Sequence, residues 1–193
     1  LKNWLQIRNA PAKIPTFAIR MLPYVNIHTH RPTGSGIELR TAGVHPWDAA
    51  TQDAATLGQR LGGAQAVGET GLDFVRGADR AAQLSALRTQ LRLARERGLP
   101  VVLHCVRAFE PLMRELAASE PRAVIFHGFI GSPEQARQAL AKGYCLSFGE
   151  RTFASPKTLA ALRGTPLSQL FLETDDSPVP IAEIYARAAE AKG

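Results

Sequence analysis

The feature that most constrains the fold is a repeat in which a short apolar run ends at a histidine or a carboxylate and a helix-like segment follows. It is clearest over residues 79–104, where leucines spaced by three and four lead to Gly98 and Pro100 and then to an apolar run. A run that is apolar on both faces is typical of a strand buried in a parallel sheet. Periodic segments between such runs indicate crossover helices. The chain is therefore predicted to be an α/β protein whose polar groups gather at the carboxyl edge of a parallel sheet.

Seven apolar runs qualify as strands, centred near residues 25, 42, 66, 102, 125, 146 and 172. Helices are predicted over 48–61, 79–98, 109–118, 132–142 and 181–191, with a short helix after Ser155. A closed (β/α)8 barrel has eight strands, yet the interval between His30 and His45 is too short for a helix, a strand and a second helix. The predicted fold is a distorted TIM-type (β/α) barrel of seven strands that lacks one βα unit after the first strand.

Length and charge bound the class of protein. The 193 residues suit one domain, predicted over 21–193. Residues 1–20 carry four basic and no acidic side chains of a chain whose net charge is +6, and they are predicted to be a basic extension. The chain shows neither a secretory signal nor a run of the ~18 apolar residues that cross a bilayer. A cytoplasmic protein without a membrane partner is predicted, and Cys105 and Cys145, each in an apolar run, are expected to be packing thiols.

A histidine or a carboxylate stands at or just beyond the carboxyl end of most of these runs. Buried imidazoles and carboxylates are costly unless a metal or a charge partner compensates them, so their shared placement favours a metal centre over packing. Nitrogen and oxygen donors without thiolate suit zinc, manganese, iron or magnesium. Six donors are too many for one catalytic ion with an open position, and two divalent ions that share a carboxylate fit better. The candidates are His28, His30, His45, His104, His127, Glu69 and Asp175.

The stretches around these donors resemble those of the TatD-like metal-dependent hydrolases, a family related to the amidohydrolase superfamily of distorted TIM barrels. The resemblance runs from Asn26 to Ser177 in six stretches that keep the family's order. They are Asn-Ile-His-Thr-His at 26–30, Gly-Val-His-Pro-Trp at 43–47, Gly-Glu-Thr-Gly-Leu-Asp at 68–73, Leu-His-Cys at 103–105, His-Gly-Phe-Ile-Gly-Ser at 127–132 and Leu-Glu-Thr-Asp at 172–175.

The resemblance implies a ligand set and a reaction. It makes His28, His30 and Asp175 ligands of one metal, His104 and His127 ligands of the second, and Glu69 the bridge. It further implies a two-metal phosphodiesterase or deoxyribonuclease in which activated water attacks phosphorus. Asp175 and Glu69 are the expected catalytic residues, with Asp175 as general base. Glu173, the alternative base, is expected to lie deeper on the same strand face.

Substrate contacts are the less constrained part of the resemblance. His45 is expected to face the substrate phosphate. Arg107, three residues beyond His104, either binds phosphate with a bidentate fork or is a solvated loop charge. Trp47 and Phe129 either stack on a base or sugar or pack over the site. The expected partner is DNA or a small phosphodiester, and a monomer is favoured.

Two departures from the family carry expectations of their own. Asn26 stands where the family more often has aspartate and is expected to orient a ligand. The missing unit after His30 is expected to leave the first metal more open to solvent. Two other functions stay open: an amidohydrolase-type metal enzyme that cleaves an ester or amide, and a shortened non-catalytic member. Glu69, in place of a lysine at that strand end, argues against the first, and the full ligand set argues against the second.

Overall fold

The computed structural model describes residues 23–34 and 36–193, so the basic extension predicted for residues 1–20 lies outside the described residues. From residue 66 onward, strands and helices alternate along the chain. The strands are β1 (Val25–Asn26), β2 (Ile37–Glu38), β3 (Thr41–Ala42), β4 (Ala66–Asp73), β5 (Val101–Val106), β6 (Val124–Phe126), β7 (Cys145–Phe148) and β8 (Leu170–Leu172). The α-helices are α1 (Leu57–Arg60), α2 (Arg80–Arg97), α3 (Phe109–Ser119), α4 (Pro133–Ala141), α5 (Pro156–Gly164) and α6 (Ile181–Lys192).

The longer helices begin and end where local side-chain chemistry predicts. The Asp79 carboxylate accepts hydrogen bonds from the first backbone N–H groups of α2, and Gly98 closes that helix with a φ of 62°. Glycine adopts this left-handed conformation without the steric cost that other residues meet. A complete capping box between Ser132 and Gln135 opens α4. The helices predicted over 79–98, 109–118, 132–142 and 181–191 are therefore confirmed to within one residue at each end.

The single helix predicted over 48–61 is wrong. The chain there forms 3-10 turns at Pro46–Asp48 and Ala54–Thr56 and one short helix, α1. The Asp53 carboxylate accepts a hydrogen bond from the Ala55 N–H at 2.8 Å, and the Thr51 hydroxyl donates to the Asp48 carbonyl at 3.1 Å. Short polar side chains that bond to nearby backbone groups compete with the helix, which explains the interruption.

The strand pairings described for the chain are all parallel. Strands β3 to β8 form a six-stranded sheet in chain order, and β1 pairs with β2 in a two-stranded sheet. β1 also meets the end of β8, because the Ile27 N–H donates to the Leu172 carbonyl at 3.1 Å and Thr29 forms a parallel bridge with Asp175. Residues 37–42 thus pair at their start with β1 and at their end with β4. The predicted α/β fold with a parallel sheet is confirmed.

Two strands run past the donors at which they were expected to end. β4 continues to Asp73 with Glu69 in its interior, and β5 continues to Val106 with His104 in its interior. The pairing of β4 with β5 shifts in register between Val67 and Thr70, so Glu69 lies within an irregular stretch. Irregularities of this kind redirect a side chain relative to its neighbours.

The core of the described residues has three clusters, and the second of them supports the donors. The largest cluster packs the helices against the sheet and includes Leu87 and Leu91 of α2. The second cluster gathers Ile27, Ala66, Val102 and Ile125, and the third contains Val44, Ala54 and Ala86. Residues two apart on a strand share a face, so His104 and His127 stand on the same face as Val102 and Ile125, one layer nearer the carboxyl edge. No helix in the described residues is long and apolar enough to cross a membrane.

Candidate metal centre

Glu69 is the centre of the donor cluster, and its two carboxylate oxygens face different histidines. Oε1 lies 2.6 Å from His127 Nε2, 2.9 Å from His104 Nδ1 and 3.3 Å from His45 Nε2. Oε2 lies 3.2 Å from His28 Nε2 and 3.6 Å from His30 Nε2. The side chain of Glu69 is 8% exposed, so these contacts are made largely away from water.

Asp175 adds a second carboxylate to the His28 and His30 side of the cluster. Its Oδ1 lies 3.4 Å from His30 Nε2 and 3.8 Å from His28 Nε2. The bridge between Thr29 and Asp175 brings the two segments together, and Asp175 has a φ of 54°. Few residues other than glycine adopt this left-handed conformation, although aspartate tolerates it better than most. Local backbone strain at the end of β8 therefore accompanies the placement of this carboxylate.

The exposure of the side chains differs among the donors. The His30 side chain is 57% exposed, whereas the His28 and His127 side chains are each 6% exposed. The described residues between β1 and β2 form no helix that could cover His30. His30 is therefore open to solvent, whereas His28 of the same segment is buried.

In two of the histidines, the ring nitrogen that points away from Glu69, here called the outer nitrogen, lies beside a further carboxylate. His104 Nε2 lies 3.2 Å from Asp73 Oδ2, and His127 Nδ1 lies 3.3 Å from Glu173 Oε1. When the outer nitrogen donates its proton to such a carboxylate, the inner nitrogen is left with a lone pair that can bind a metal. His104 and His127 are thus oriented as ligands through Nδ1 and Nε2, respectively.

His45 is held in the opposite sense. Its Nδ1 accepts a hydrogen bond from the Trp47 N–H at 3.2 Å, so in the neutral ring the proton sits on Nε2. Nε2 points at Glu69 Oε1. His45 therefore presents a hydrogen-bond donor to the centre where His104 and His127 present lone pairs.

The pKa shifts of Glu69 and His127 are consistent with a site that favours positive charge. Burial raises the pKa of Glu69, but hydrogen bonds led by those from His104 and His127 outweigh it and hold that pKa well below its usual range. Burial lowers the pKa of His127, whereas Glu173 and Glu69 together raise it well above its ordinary value. Burial raises the pKa of Asp175. A cation bound beside Glu69 would compensate the same negative charge.

The donors meet the requirements of a metal site. Four sets of three residues each offer ligand atoms within 4.8 Å of one another. Buried His28 Nε2, although 3.2 Å from Glu69, has no hydrogen-bond partner among the described residues. An unpartnered buried nitrogen beside carboxylates fits a metal ligand. The sets are His28, Glu69 and His127; His28, His30 and Asp175; His45, Glu69 and His104; and His127, Glu173 and Asp175.

Comparison with known proteins identifies the family. The model of the TatD related DNase family matches residues 36–188, which is more than half of the chain and includes Glu69, His104, His127 and Asp175. The chain belongs to the TatD related DNase family. The 3'-5' ssDNA/RNA exonuclease TatD of Cronobacter sakazakii is 42% identical over 147 residues, which cover 70% of this chain and 56% of that protein. The uncharacterized metal-dependent hydrolase YjjV of Escherichia coli is 38% identical over 121 residues, which cover 60% of this chain and 46% of that protein.

Solved structures of TatD family members have the same fold. That of YjjV, a TatD homolog from Escherichia coli, matches with a TM-score of 0.70 at 28% identity, over 80% of this chain and 69% of that one. A TatD family hydrolase from Entamoeba histolytica matches with a TM-score of 0.64 at 25% identity, over 72% of this chain and 51% of that one. The chain spans about half the length of the curated relatives it matches.

In this TatD family chain, the structure places the less constrained sequence candidates as follows. Arg107 follows β5 directly, is exposed and lines a cavity of about 940 Å³ beside His127. Trp47 is 41% exposed and donates through Nε1 to Asp73 Oδ2 at 2.7 Å. Phe129 is 6% exposed and packs against Phe148, with ring centroids 5.7 Å apart, so it belongs to the core.

Among the described residues, Asn26 bonds to Thr174, the residue before Asp175, rather than to a donor itself, and its role in orienting a ligand stays a prediction. Its Nδ2 donates to Thr174 Oγ1 at 2.9 Å, and its Oδ1 accepts from the Thr174 N–H at 3.0 Å. Asn26 therefore joins β1 to the segment that carries Asp175. The amide can make both bonds because it has a donor and an acceptor, which an aspartate carboxylate does not.

Sequence reasoning missed the roles of Asp73 and Glu173 as partners of histidines in this TatD family site. Asp73 is 2% exposed and Glu173 is fully buried. One signal for Asp73 was present: a carboxylate followed by the turn residues Val75-Arg76-Gly77 at the end of an apolar run. Its oxygen Oδ1 accepts the N–H groups of Val75 and Arg76, each at 2.9 Å, which shapes that turn.

Proposed function

We propose that this chain carries a two-metal phosphodiesterase centre that hydrolyses nucleic acid strands. The observation that carries the proposal is the orientation of Glu69, whose Oε1 faces His104 and His127 while its Oε2 faces His28 and His30. A carboxylate that serves two sets of donors with its two oxygens is suited to bridge two ions. The oxygen and imidazole donors are compatible with zinc, magnesium or manganese. The exonuclease names of the curated relatives support nucleic acid as the substrate.

The proposed scaffold is a distorted TIM-type barrel formed by a single domain over 21–193. Two pairings support closure: β1 lies beside the end of β8, and residues 37–42 pair with both β1 and β4. If β2 and β3 are one interrupted strand, the barrel has seven strands and lacks one βα unit after the first. The small cluster of Ile27, Ala66, Val102 and Ile125 then fills its interior.

The proposed roles of the ligands follow from their positions. His28, His30 and Asp175 would hold one ion and His104 and His127 the other, with Glu69 shared. When bound, the two divalent ions would lower the pKa of water and stabilise negative charge on phosphoryl oxygens. Asp73 and Glu173 fix the ring orientation of His104 and His127, so each ligand nitrogen faces the centre before an ion arrives.

Asp175 is the proposed general base. Its side chain is 25% exposed, so it can reach a water molecule and accept its proton at a carboxylate oxygen. Glu173, the alternative base, is fully buried and its Oε1 faces His127, so it is less accessible to water than Asp175. His45 is proposed to donate from Nε2 to a phosphoryl oxygen, and Arg107 to bind phosphate from the rim.

Metal analysis and hydrolysis assays on one variant test the proposal. Glu69→Ala is expected to lose bound metal and to lower hydrolysis of single-stranded DNA or RNA by about 100-fold or more, because both ions lose a ligand. Chelation of the unaltered protein is expected to abolish hydrolysis. Glu96→Ala, an exposed glutamate on α2 paired with Arg92, is the matched control.

The outcomes separate the proposal from its alternatives. Metal-loaded protein that is inert on both nucleic acids, together with a Glu69→Ala variant that retains its full metal content, would refute the proposed function. Metal-dependent hydrolysis of esters or amides, with none of phosphodiesters, would assign the centre to the amidohydrolase-type alternative. About two metal ions per chain are expected in the unaltered protein.

A further inference from the structure

A large cavity opens beside the proposed metal ligand His127. Its volume of about 940 Å³ lies within the range of small-molecule sites. Its lining includes four segments: the loop after β5, the Phe129–Ile130 turn, the 3-10 helix Glu150–Ala154 and the start of α5. All four lie at the carboxyl edge of the sheet, the edge that carries the donors.

Three cationic side chains line this cavity and come from separate segments. They are Arg107 after β5, Arg151 in the 3-10 helix and Lys157 in the first turn of α5. Among the described residues that line the cavity, Glu110 is the single carboxylate. Cationic side chains brought to one concave surface by different segments raise the local concentration of anions. We call the cavity that Arg107, Arg151 and Lys157 line the basic cavity.

Arg151 connects the basic cavity with Asp175. It also lines a second cavity of about 220 Å³, whose wall includes Asp175 and Asp176. Its Nη2 donates to both carboxylate oxygens of Asp176 at 3.2 Å, but the two side chains are 72% and 60% exposed. An ion pair this exposed contributes little free energy, so an incoming phosphate can compete for the guanidinium.

The backbone at Arg107 supports a ligand role as well. Arg107 has a φ of 53°, in the left-handed region that side chains other than glycine rarely adopt. Residues held in such conformations cluster at ligand-binding positions, where the surrounding structure compensates the strain. Ile130, which is 51% exposed, lines both cavities and offers an apolar contact between the charges.

We propose that the basic cavity binds phosphates next to the scissile one in a single-stranded nucleic acid, and that Arg151 and Lys157 set the preference for a strand over an isolated phosphodiester. This inference rests on the proposed function. A strand has regularly spaced phosphates and flexible bases, so cations at a distance from the reacting phosphorus bind it without reading its sequence. A phosphodiester with a single phosphorus has no neighbouring phosphate for them to bind.

A double variant, Arg151→Ala with Lys157→Ala, tests the inference by binding. Affinity for a fluorescein-labelled ten-nucleotide oligodeoxythymidylate is measured by anisotropy as a function of salt, with chelator present to prevent hydrolysis. We expect about tenfold weaker binding, and a log–log salt slope that is smaller by about 0.7 for each phosphate contact removed. The matched control, Arg95→Ala with Lys142→Ala, removes exposed cations from the ends of α2 and α4, at the opposite edge of the sheet.

Hydrolysis gives a second, independent result. The ratio of kcat/KM for the oligonucleotide to that for bis(p-nitrophenyl) phosphate is expected to fall about tenfold in the double variant and to stay constant in the control. Unchanged affinity, salt slope and ratio in the double variant would overturn the basic cavity even if the wild type is an active nuclease. Weaker binding by the double variant in a protein that hydrolyses neither substrate would support the basic cavity and refute the proposed nuclease instead. Circular dichroism of each variant verifies that it is folded.

Discussion

Replacing Asp73 by asparagine should weaken metal binding, although Asp73 is not itself a proposed metal ligand. Asp73 Oδ1 accepts from the N–H groups of Val75 and Arg76, each at 2.9 Å, and its Oδ2 accepts from Trp47 Nε1 at 2.7 Å and faces His104 Nε2 at 3.2 Å. Both oxygens are therefore used as acceptors. Asparagine keeps one acceptor and replaces the other with an NH2 group that can only donate.

The magnitude follows from which acceptor is lost. If the remaining oxygen keeps the two backbone N–H groups, the NH2 group faces two donors, Trp47 Nε1 and His104 Nε2. His104 then favours the tautomer with its proton on Nδ1, the nitrogen that faces Glu69. Loss of such a partner lowers metal affinity by about 10–100-fold, or about 1.4–2.7 kcal/mol. Loss of the partly buried hydrogen bond from Trp47 Nε1 should lower the free energy of unfolding by a further ~0.5–1.5 kcal/mol.

Competition titration with a fluorescent chelator measures the affinity for metal, and urea titration of the metal-free proteins measures the free energy of unfolding. The control is Asp79→Asn, because Asp79 caps α2 by accepting from Ala81 and Ala82 and asparagine caps equally well. The reasoning is refuted if Asp73→Asn and Asp79→Asn bind metal with the affinity of the wild type. A loss confined to unfolding stability would show that Asp73 supports the turn alone.

Two further predictions test the packing around the site. Gly71→Ala should lower the free energy of unfolding by at least about 3 kcal/mol, because a Cβ there would meet the His104 carbonyl oxygen at 2.0 Å. Gly63→Ala, also at positive φ but with no atom within 4 Å of the added Cβ, should cost about 1 kcal/mol in the same urea titration; equal losses would contradict the steric argument. Burial raises the pKa of the Cys105 thiol to about 12, so it should resist alkylation at pH 8 in the folded protein and react after unfolding, as mass spectrometry of iodoacetamide-treated protein can show. Rapid alkylation of the folded chain at pH 8 would exclude this protection.

The elements that could be predicted from sequence are those specified by short-range chemistry. The three- and four-residue spacing in α2, its Asp79 cap and Gly98 terminus, and the capping box of Ser132 and Gln135 all act within a few residues. The donors could be placed for a related reason, since a polar residue at the end of an apolar run has few alternatives to the carboxyl edge of the sheet. The histidines and carboxylates therefore meet in the structure although they are spread over residues 28–175 of the sequence.

The features that escaped prediction depend on contacts between distant parts of the chain. The extension of β4 to Asp73 depends on its pairing with β5 across a register shift, which no local pattern marks. The role of Glu173 depends on contact between the ends of β6 and β8, because its partner His127 is 46 residues away in sequence. The interrupted helix over 48–61 shows the opposite error, in which helix-like composition outweighed the turn-forming bonds of Asp48 and Asp53.

The hydrogen bonds between Asn26 and Thr174 join residues that are 148 positions apart. Strands β3 to β8 pair with neighbours in chain order and close much shorter loops, so the entropy of loop closure favours their assembly first. That sheet carries Glu69, His104 and His127. The contact between β1 and the end of β8 brings Asp175 to His28 and His30, and it closes a much longer loop. Ions bound by both groups of donors would link the two parts of the fold through Glu69, and their binding would add to the stability of the completed fold.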